Sequence, residues 1–347
     1  MKKYFLLIGF VLVLFPTVAY AHYDPAYLRS INEFNHSQNS WMANIRDDVK
    51  LSQLSVPGTH DSMSNGPGGD IAQNQGLSLS EQLDVGIRFL DIRVRAIDGV
   101  FTIHHGPIYL NKNFGDVLNA VKEFLCSHPT ETVYMRVKQE YSEVNNIEVK
   151  NIFNKYIGAE CYKDLFYNGR NSNPTLGDTR SKVVLMYDGF YPSVGLSYNS
   201  CRIQDQYRLN TNWDLYSKWI AVKNQLSEAN NSNGQNIYIN YLTGSTGSFP
   251  YFVASGHSSP GTGAPRLATG LTHPGWAGSY PDFPRVNWFL GIATIAFEGT
   301  NILTADYINN NNLTYSGIVV ADFPGYRLID EIIKANKLNY KYHNFYR

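Results

Sequence analysis

Short apolar segments recur along the chain, separated by helical or polar segments, and this pattern indicates alternating strands and helices. Eight strands are predicted, over residues 51–56, 88–95, 101–105, 132–138, 182–187, 203–207, 236–242 and 318–321. Strands that alternate with crossover segments are typical of a parallel α/β sheet, and about eight of them indicate a barrel. The sequence has no internal repeat and no interdomain linker, so we expect a single domain.

Helical spacing of apolar residues predicts two helices that cover the sheet. The first occupies residues 114–125, and the second follows the last strand with an apolar stripe over residues 328–333. Residues 243–299 are instead rich in Gly, Ser, Pro and aromatic side chains. That composition predicts long loops over one end of the sheet.

The N-terminal segment has the features of a signal peptide. Lys2 and Lys3 precede the apolar residues 5–15, and Ala19-Tyr20-Ala21 is a small-x-small cleavage motif. The apolar segment is shorter than the roughly 20 residues that a membrane span needs. We therefore expect residues 1–21 to be removed and residues 22–347 to form a catalytic barrel secreted to the periplasm or the exterior.

The composition narrows the range of possible functions further. The 347 residues are 43% hydrophobic and 17% charged, and 29 Lys and Arg balance 29 Asp and Glu. These values exclude a disordered chain, and the balanced charge argues against a nucleic-acid partner. The spacing of Cys126, Cys161 and Cys201 matches neither a zinc site nor a catalytic motif, so buried thiols or a single disulfide are expected.

Two predicted strands alternate apolar with polar residues, so that the charges of each strand share a face. These charges are Asp91, Arg93 and Arg95 in one strand, and Arg136 and Lys138 in the other. If the apolar faces pack under helices, the charged faces point into the barrel, where each charge needs a partner or a ligand. The alternative is an open antiparallel sheet with these side chains in water.

Histidines follow two of the predicted strands. His60 and Asp61 come after the first strand, and His104 and His105 end the third. The C-terminal ends of barrel strands carry the catalytic groups in this class of fold. We therefore expect these histidines to lie near Arg93.

Such a set of side chains fits phosphoryl chemistry. Two histidines can act as general base and general acid near neutral pH, while a guanidinium binds phosphoryl oxygens through parallel hydrogen bonds. Two histidines and an arginine can together catalyse the transfer of a phosphodiester onto a neighbouring hydroxyl of the same substrate. No metal or other cofactor is expected, because the arginine supplies the positive charge.

These residues resemble the bacterial phosphatidylinositol-specific phospholipases C. The His60-Asp61 and His104-His105-Gly106-Pro107 segments carry the resemblance, within the matching residues 55–62, 88–93, 103–110, 129–132 and 136–141. The resemblance implies a distorted, incompletely closed TIM barrel that cleaves phosphatidylinositol into diacylglycerol and inositol 1,2-cyclic phosphate. It also implies transient binding to phosphatidylinositol membranes and cleavage of glycosylphosphatidylinositol anchors. We expect a monomer.

The family pattern assigns the proton transfers to two pairs of side chains. His60 resembles the base that deprotonates the inositol 2-hydroxyl, and Asp322 the carboxylate that orients it. His105 resembles the acid that protonates the leaving diacylglycerol oxygen, and Asp61 the carboxylate that supports it.

Phosphate and head-group contacts follow from the same resemblance. Arg93 matches the phosphate-stabilising arginine, with Asp91 beside it, where metal-dependent relatives have an acidic calcium ligand. Lys138, Asp205 and Tyr207 match inositol-binding positions, and Tyr207 would stack under the ring.

The chain departs from the family pattern in two places. Met186-Tyr187-Asp188 stands where the family has a further inositol-binding arginine, and the loop after His60 has Gly66-Pro67-Gly68-Gly69 in place of an interfacial tryptophan helix. Phe249, Tyr251 and Phe252 are candidates for a substitute rim.

Two other functions fit parts of the pattern. A metal-dependent glycerophosphodiester phosphodiesterase uses a related barrel, but it needs a cluster of acidic ligands where this chain has Arg93 and Arg95. A non-catalytic sugar- or lipid-binding module could use the aromatic loops. It has no need of two histidines with partnered aspartates.

Overall fold

The computed structural model describes residues 24–28, 37–69, 72–169, 171–257, 268–272 and 277–341. The predicted signal peptide lies outside the described residues. The strands are β1 (Val56–Thr59), β2 (Phe89–Ile97), β3 (Val100–His105), β4 (Ile108–Asn113), β5 (Thr132–Gln139), β6 (Lys182–Asp188), β7 (Leu196–Ser197), β8 (Arg202–Gln204), β9 (Arg208–Leu209), β10 (Tyr238–Tyr241), β11 (Ser245–Thr246), β12 (Ala268–Thr272), β13 (Arg285–Phe289), β14 (Ile292–Ala296) and β15 (Ile318–Ala321). The α-helices are α1 (Leu79–Asp84), α2 (Phe114–Ser127), α3 (Asn146–Ile157), α4 (Leu176–Thr179), α5 (Leu215–Asn230), α6 (Pro250–Ser255), α7 (Thr300–Asn310) and α8 (Tyr326–Lys334).

Eight strands form one curled parallel sheet in the order β7-β6-β5-β2-β1-β15-β10-β8. The hairpin strands β3 and β4 extend this sheet from β2 in antiparallel orientation. In the described part of the chain, β7 and β8 do not pair with each other. The barrel is therefore incompletely closed, which confirms the predicted α/β fold class.

The outer face of the sheet forms the apolar core together with the helices. Leu90, Ile92 and Val94 of β2 are buried, as predicted from their alternation. The two predicted helices are present as α2 and α8, and their apolar stripes are buried. None of the helices in the described ranges has the length and hydropathy needed to span a bilayer.

Three predicted strands are shorter in the structure. The segment 51–56 was expected to be a strand, but Leu51–Gln53 forms a 3₁₀ turn. The strand starts only at Val56, where pairing with Ile318 of β15 begins. The predicted strands 203–207 and 236–242 shorten to β8 and β10, because only those residues pair across the sheet.

The prediction of long loops over residues 243–299 is wrong for much of this segment. It contains α6, which starts with Pro250, and a three-stranded antiparallel sheet of β12, β14 and β13. Tyr251 and Phe252 of α6 are buried and cannot form the proposed rim, whereas Phe249 is 50% exposed. Composition alone does not reveal the hairpin of β13 and β14. Cys126, Cys161 and Cys201 are all free thiols, and the first two are exposed.

The predicted third strand, β3, runs in a different direction from the one expected. β3 is antiparallel to β2, so its C-terminal end does not share the edge formed by the ends of the parallel strands. β2 is long, and Val94 in its middle pairs with Ile103. The returning strand therefore ends beside the middle of β2, and His105 at its end is close enough for the Arg93 charge to lower its pKa.

A buried ion pair ties β2 to β5 at the edge opposite the histidines. Arg88 and Glu131 are both fully buried, and the Arg88 Nε donates to Glu131 Oε2 at 2.9 Å. Arg88 also donates to the carbonyl oxygens of Leu83 and Ile87. A buried charge that loses its partner destabilises a fold strongly.

We expect Glu131→Ala to lower the free energy of unfolding by about 3–5 kcal/mol, because the Arg88 guanidinium would remain buried without its counter-ion. Urea unfolding followed by circular dichroism measures the change. The matched control is Glu160→Ala, which breaks the exposed pair with Lys163 and should cost less than about 1 kcal/mol. Equal losses in the two variants would contradict the assignment.

Candidate active site

His60 and Asp322 form a pair at the C-terminal edge of the sheet. Each follows the last residue of its strand, and Thr59 of β1 lies opposite Ala321 of β15. The two side chains therefore emerge as neighbours, with His60 Nδ1 2.8 Å from Asp322 Oδ1. Burial alone would lower the pKa of His60, but the Asp322 carboxylate outweighs it and raises the pKa above the ordinary value.

The partners of His60 define its tautomer. A guanidinium can only donate, and the Arg93 NH2 group lies 2.7 Å from His60 Nε2. Nε2 must therefore accept, which leaves the imidazole proton on Nδ1, where it is donated to Asp322. His60 is thus a neutral imidazole whose Nε2 lone pair faces the guanidinium.

Two amides that the sequence analysis did not single out hold this pair in place. Asn74 Nδ2 donates to Asp322 Oδ1 at 3.0 Å. Gln75 Nε2 donates to the carbonyl oxygens of His60 and Ala321 at 2.7 and 3.1 Å. Both lie in the loop between β1 and α1, where no periodic pattern marked them, so only tertiary structure identifies them.

Asp91 is the centre of a buried charge network. It is fully buried in β2, directly opposite Arg136 of β5. Its Oδ1 accepts from Arg136 at 3.2 Å, and its Oδ2 accepts from Arg93 at 3.2 Å. Burial would raise the pKa of Asp91, but Arg136 and Arg93 hold it well below its usual range. The network confirms that the charged face of β2 points inward.

The second guanidinium extends the network to the next strand. Arg136 NH2 donates to Asp188 Oδ2 of β6 at 2.6 Å, and its NH1 donates to the Tyr241 hydroxyl at 3.0 Å. Its guanidinium carbon lies 4.1 Å from the centre of the Tyr198 ring. The sequence analysis gave Arg136 no role, although its alternation in β5 already placed it inside the barrel.

Glu140 neutralises the outer end of the cluster. Its Oε1 lies 3.0 Å from Lys138 Nζ and 3.5 Å from Arg93 NH1. Burial would raise the pKa of Glu140, but Arg93 and Lys138 lower it overall. Glu140 was not among the predicted site residues, although it lies two positions after Lys138.

Asp61 and His105 form a looser pair. Asp61 is fully buried with φ of 38°, and its Oδ2 lies 3.9 Å from His105 Nε2, beyond hydrogen-bonding distance. Burial raises the pKa of Asp61 to about 7. Burial also lowers the pKa of His105, and the positive charge of Arg93 lowers it further. The Asp61 carboxyl can therefore hold a proton near neutral pH, 3.9 Å from the His105 imidazole.

The remaining predicted head-group residues lie further along the same edge. Asp205 and Tyr207 follow β8, which β10 separates from β15, and Tyr207 is 44% exposed. A buried lysine, Lys218, lies beneath this segment, and its Nζ donates to Gln204 Oε1 at 3.3 Å. Burial lowers the pKa of Lys218 to about 7. Lys218 lies in α5, and no motif in the sequence marks it as a head-group residue.

Within the described ranges, no group of three or more His, Cys, Asp or Glu side chains is arranged to hold a metal ion. The carboxylates of Asp91 and Asp188 instead accept hydrogen bonds from guanidinium groups. The site can thus supply a lone pair at His60, a proton at the Asp61 and His105 pair, and a guanidinium between them.

Comparison with known sequences identifies relatives of this arrangement. The profile of the phosphatidylinositol-specific phospholipase C X domain matches residues 61–188. The 1-phosphatidylinositol phosphodiesterase of Staphylococcus aureus strain Newman is 31% identical over 282 residues, covering 71% of this chain and 88% of the relative. The enzyme of the same name from Listeria monocytogenes is 31% identical over 342 residues, covering 89% and 90%.

Solved structures agree with the sequence comparison. The phosphatidylinositol-specific phospholipase C from Listeria monocytogenes aligns with a TM-score of 0.62 at 26% identity, over 87% of this chain and 99% of that one. A structure of the Staphylococcus aureus enzyme aligns with a TM-score of 0.64 at 28% identity, over 87% and 98%.

We expect Asp322→Asn to lower the pKa of His60, because the substitution removes the negative charge that stabilises the imidazolium. A titration of the histidine ring signals by ¹H–¹³C NMR measures this pKa. Asp306→Asn is the control, since that carboxylate pairs with Arg327 outside the site. An unchanged or higher pKa of His60 in Asp322→Asn would show that the carboxylate does not control the base.

Proposed function

The chain belongs to the bacterial phosphatidylinositol-specific phospholipase C family, and on this premise we propose that it cleaves phosphatidylinositol without a metal ion. The inositol 2-hydroxyl attacks the phosphorus, and the bond to the glycerol oxygen breaks. The products are diacylglycerol and inositol 1,2-cyclic phosphate. The contact of Arg93 with the unprotonated Nε2 of His60 carries this proposal.

His60 is the general base of the proposed reaction. Its Nε2 lone pair points towards the guanidinium that would bind the phosphate, so it can take the proton of a hydroxyl next to that phosphate. The hydrogen bond from Nδ1 to Asp322 stabilises the imidazolium that forms. Asn74 donates to the same carboxylate oxygen, Asp322 Oδ1.

His105 is the general acid, and it protonates the glycerol oxygen as that oxygen leaves. The negative phosphodiester stabilises an imidazolium at His105 when substrate binds. A proton from the Asp61 carboxyl then moves onto the imidazole, and the Asp61 carboxylate that remains supports the charge. The transfer to the leaving oxygen balances the proton that His60 removes.

Arg93 stabilises the charge that develops on the phosphoryl oxygens. Asp91 and Glu140 hold the guanidinium from two sides, so the cation is oriented before substrate binds. A cation in this position does the work that a divalent ion does in other phosphodiesterases. The carboxylate of Asp91 is committed to Arg93 and Arg136, which makes it a positioning residue.

Lys138, Asp205 and Tyr207 bind the inositol ring in this proposal. Lys138 lies opposite Arg93 in the neighbouring strand, close enough to reach hydroxyls beside the phosphate. Tyr207 is partly exposed and offers a ring face for stacking.

The biological setting is also part of the proposal. We propose that residues 1–21 direct export, that residues 22–347 act as a monomer, and that phosphatidylinositol in membranes is the substrate. Glycosylphosphatidylinositol anchors share the same inositol phosphodiester and are a second substrate. A protein with no net charge is better suited to transient binding at a membrane surface than to permanent electrostatic attachment.

Phosphorus NMR of phosphatidylinositol incubated with the pure protein and EDTA tests the reaction. We expect the signal of a five-membered cyclic phosphate, because an internal hydroxyl is the nucleophile and no metal takes part. Loss of activity in EDTA would favour a metal-dependent glycerophosphodiester phosphodiesterase. Binding without turnover would indicate a non-catalytic lipid- or sugar-binding module.

Replacing His60 or His105 with Ala should each lower kcat/KM on the order of 10²-fold or more, because each removes a proton-transfer group. Arg93→Lys should lower it by a comparable factor, since lysine keeps the charge but loses the planar fork. The control is His128→Ala, at the C-terminal end of α2, which should leave kcat/KM unchanged. An enzyme indifferent to both histidine substitutions would refute the mechanism.

A further inference from the structure

Lys218 is a core lysine that the proposed mechanism does not use. It belongs to α5, its side chain is fully buried, and its Nζ donates to Gln204 Oε1 at 3.3 Å. In the part of the chain that the structure describes, this is the only hydrogen bond of the Lys218 Nζ. Lysine side chains are almost never fully buried unless they are paired. An apolar side chain at this position would therefore serve the stability of the fold better.

The Gln204 carboxamide, at the end of β8, has a partner for each of its hydrogen-bonding positions. Its Nε2 donates to Asn240 Oδ1 at 2.8 Å and to the Tyr241 carbonyl oxygen at 2.9 Å. Its Oε1 accepts from the Gln206 backbone N–H at 2.7 Å as well as from Lys218. A carboxamide has two donors and two acceptor lone pairs, so all four are in use and the group has one orientation.

The helix α5 reaches this carboxamide at two points. Asn240 is fully buried in β10, directly opposite Gln204, and its Nδ2 donates to the Val222 carbonyl oxygen of α5 at 2.9 Å. Lys218 lies four residues before Val222, which places both on the same face of the helix. The Gln204 carboxamide is thus held by α5 directly through Lys218 and indirectly through Asn240.

Gln204 in turn holds the segment that carries two of the proposed head-group residues. Its side chain accepts from the Gln206 N–H, and the Tyr207 N–H donates to the Asp205 carbonyl oxygen at 3.0 Å. Residues 205–208 are exposed, so packing does little to hold them. At the far end, the Ser245 N–H donates to the Tyr207 carbonyl oxygen at 2.8 Å. The placement of this turn therefore depends on Gln204 at one end and on Ser245 at the other.

We propose that Lys218 is a positioning residue for recognition of the inositol head group. Its Nζ fixes the Gln204 carboxamide, and Gln204 fixes the turn that presents Asp205 and Tyr207. This inference rests on the proposed function, which assigns those two side chains to the inositol ring. Because Lys218 lies in the core, it acts through Gln204 and not by contact with the substrate.

The charges around Lys218 agree with this role. Burial lowers the pKa of Lys218, whereas the carboxylates of Asp205 and Asp322 raise it. The buried Nζ is thus close enough to the head-group turn to interact with the charge of Asp205. Both the ammonium and the neutral amine carry N–H groups, so Gln204 keeps its donor in either protonation state.

The affinity for inositol 1-phosphate, measured by isothermal titration calorimetry, tests the inference. We expect Lys218→Met to weaken binding roughly three- to tenfold, which is the effect of one lost hydrogen bond. Methionine is unbranched and apolar, so it can occupy the space of the lysine stem without burying a charge. The Tm of Lys218→Met should therefore stay the same or rise. An affinity equal to that of the unmodified chain would overturn the inference.

Lys223→Met is the matched control. Lys223 belongs to the same helix, but its Nζ pairs with Asp282 Oδ2 at 3.0 Å. This variant should bind inositol 1-phosphate as the unmodified chain does. Inorganic phosphate is the matched ligand, because it lacks the ring, and Lys218→Met should bind it with unchanged affinity. A similar loss in Lys223→Met, or an equal loss for inorganic phosphate, would show a general effect of removing a charge and would overturn the inference.

A double-mutant cycle with Gln204→Ala tests the route by which Lys218 acts. Gln204→Ala should weaken binding of inositol 1-phosphate at least as much as Lys218→Met does. Because Lys218 acts through Gln204, the double variant should bind no more weakly than Gln204→Ala. It should also recover Tm, since it removes the lysine that Gln204→Ala leaves buried without a partner. Additive losses of affinity would contradict the proposed route.

Kinetics on a short-chain phosphatidylinositol dispersed as monomers separate positioning from catalysis. Contacts to the ring stabilise the ground state and the transition state alike, so Lys218→Met should raise KM and leave kcat within about twofold. A lower kcat at unchanged KM would contradict the inference. If the unmodified chain binds inositol 1-phosphate but does not cleave the lipid, the proposed function fails, while the affinities still test Lys218.

Discussion

The buried carboxylate of Asp91 constrains the geometry of the whole site. A charge that is fully removed from water is tolerated only with partners in good geometry, and Asp91 has two, Arg93 and Arg136. Because each carboxylate oxygen serves a different guanidinium, neither arginine can rotate freely. Arg93 is consequently held against Nε2 of His60. The orientation of the base therefore depends on an ion pair one strand away from it.

Charge balance explains how the cluster can be buried and still accept an anion. Three cations, Arg93, Arg136 and Lys138, face three carboxylates, from Asp91, Glu140 and Asp188. This part of the site is neutral before substrate arrives, so it carries no excess charge that would oppose folding. The phosphodiester adds one negative charge, which stabilises an imidazolium at His105. Binding and protonation of the acid are thus coupled.

The parts of the site that follow from local sequence were predictable. Alternation in β2 and β5 predicted an inward face with Asp91, Arg93 and Lys138, because side-chain direction depends only on position along a strand. The antiparallel course of β3 was not predictable in this way, since pairing depends on contacts between strands. The roles of Asn74 and Glu140 were missed for the same reason. The hairpin of β13 and β14 was hidden by a composition typical of loops.

This chain departs from its family at the end of β6. The effect on the charge of the head-group region is smaller in the structure than the sequence alone indicates. Met186-Tyr187-Asp188 stands where the family pattern has an arginine, which removes a cation from the head-group region. The neighbouring strand supplies Arg136, whose guanidinium reaches the Asp188 carboxylate at 2.6 Å. A positive charge therefore remains beside that position, although it originates one strand earlier and is already neutralised. Arg136 is also bound to Asp91. The charge network therefore connects the head-group region to Arg93, the arginine that faces His60.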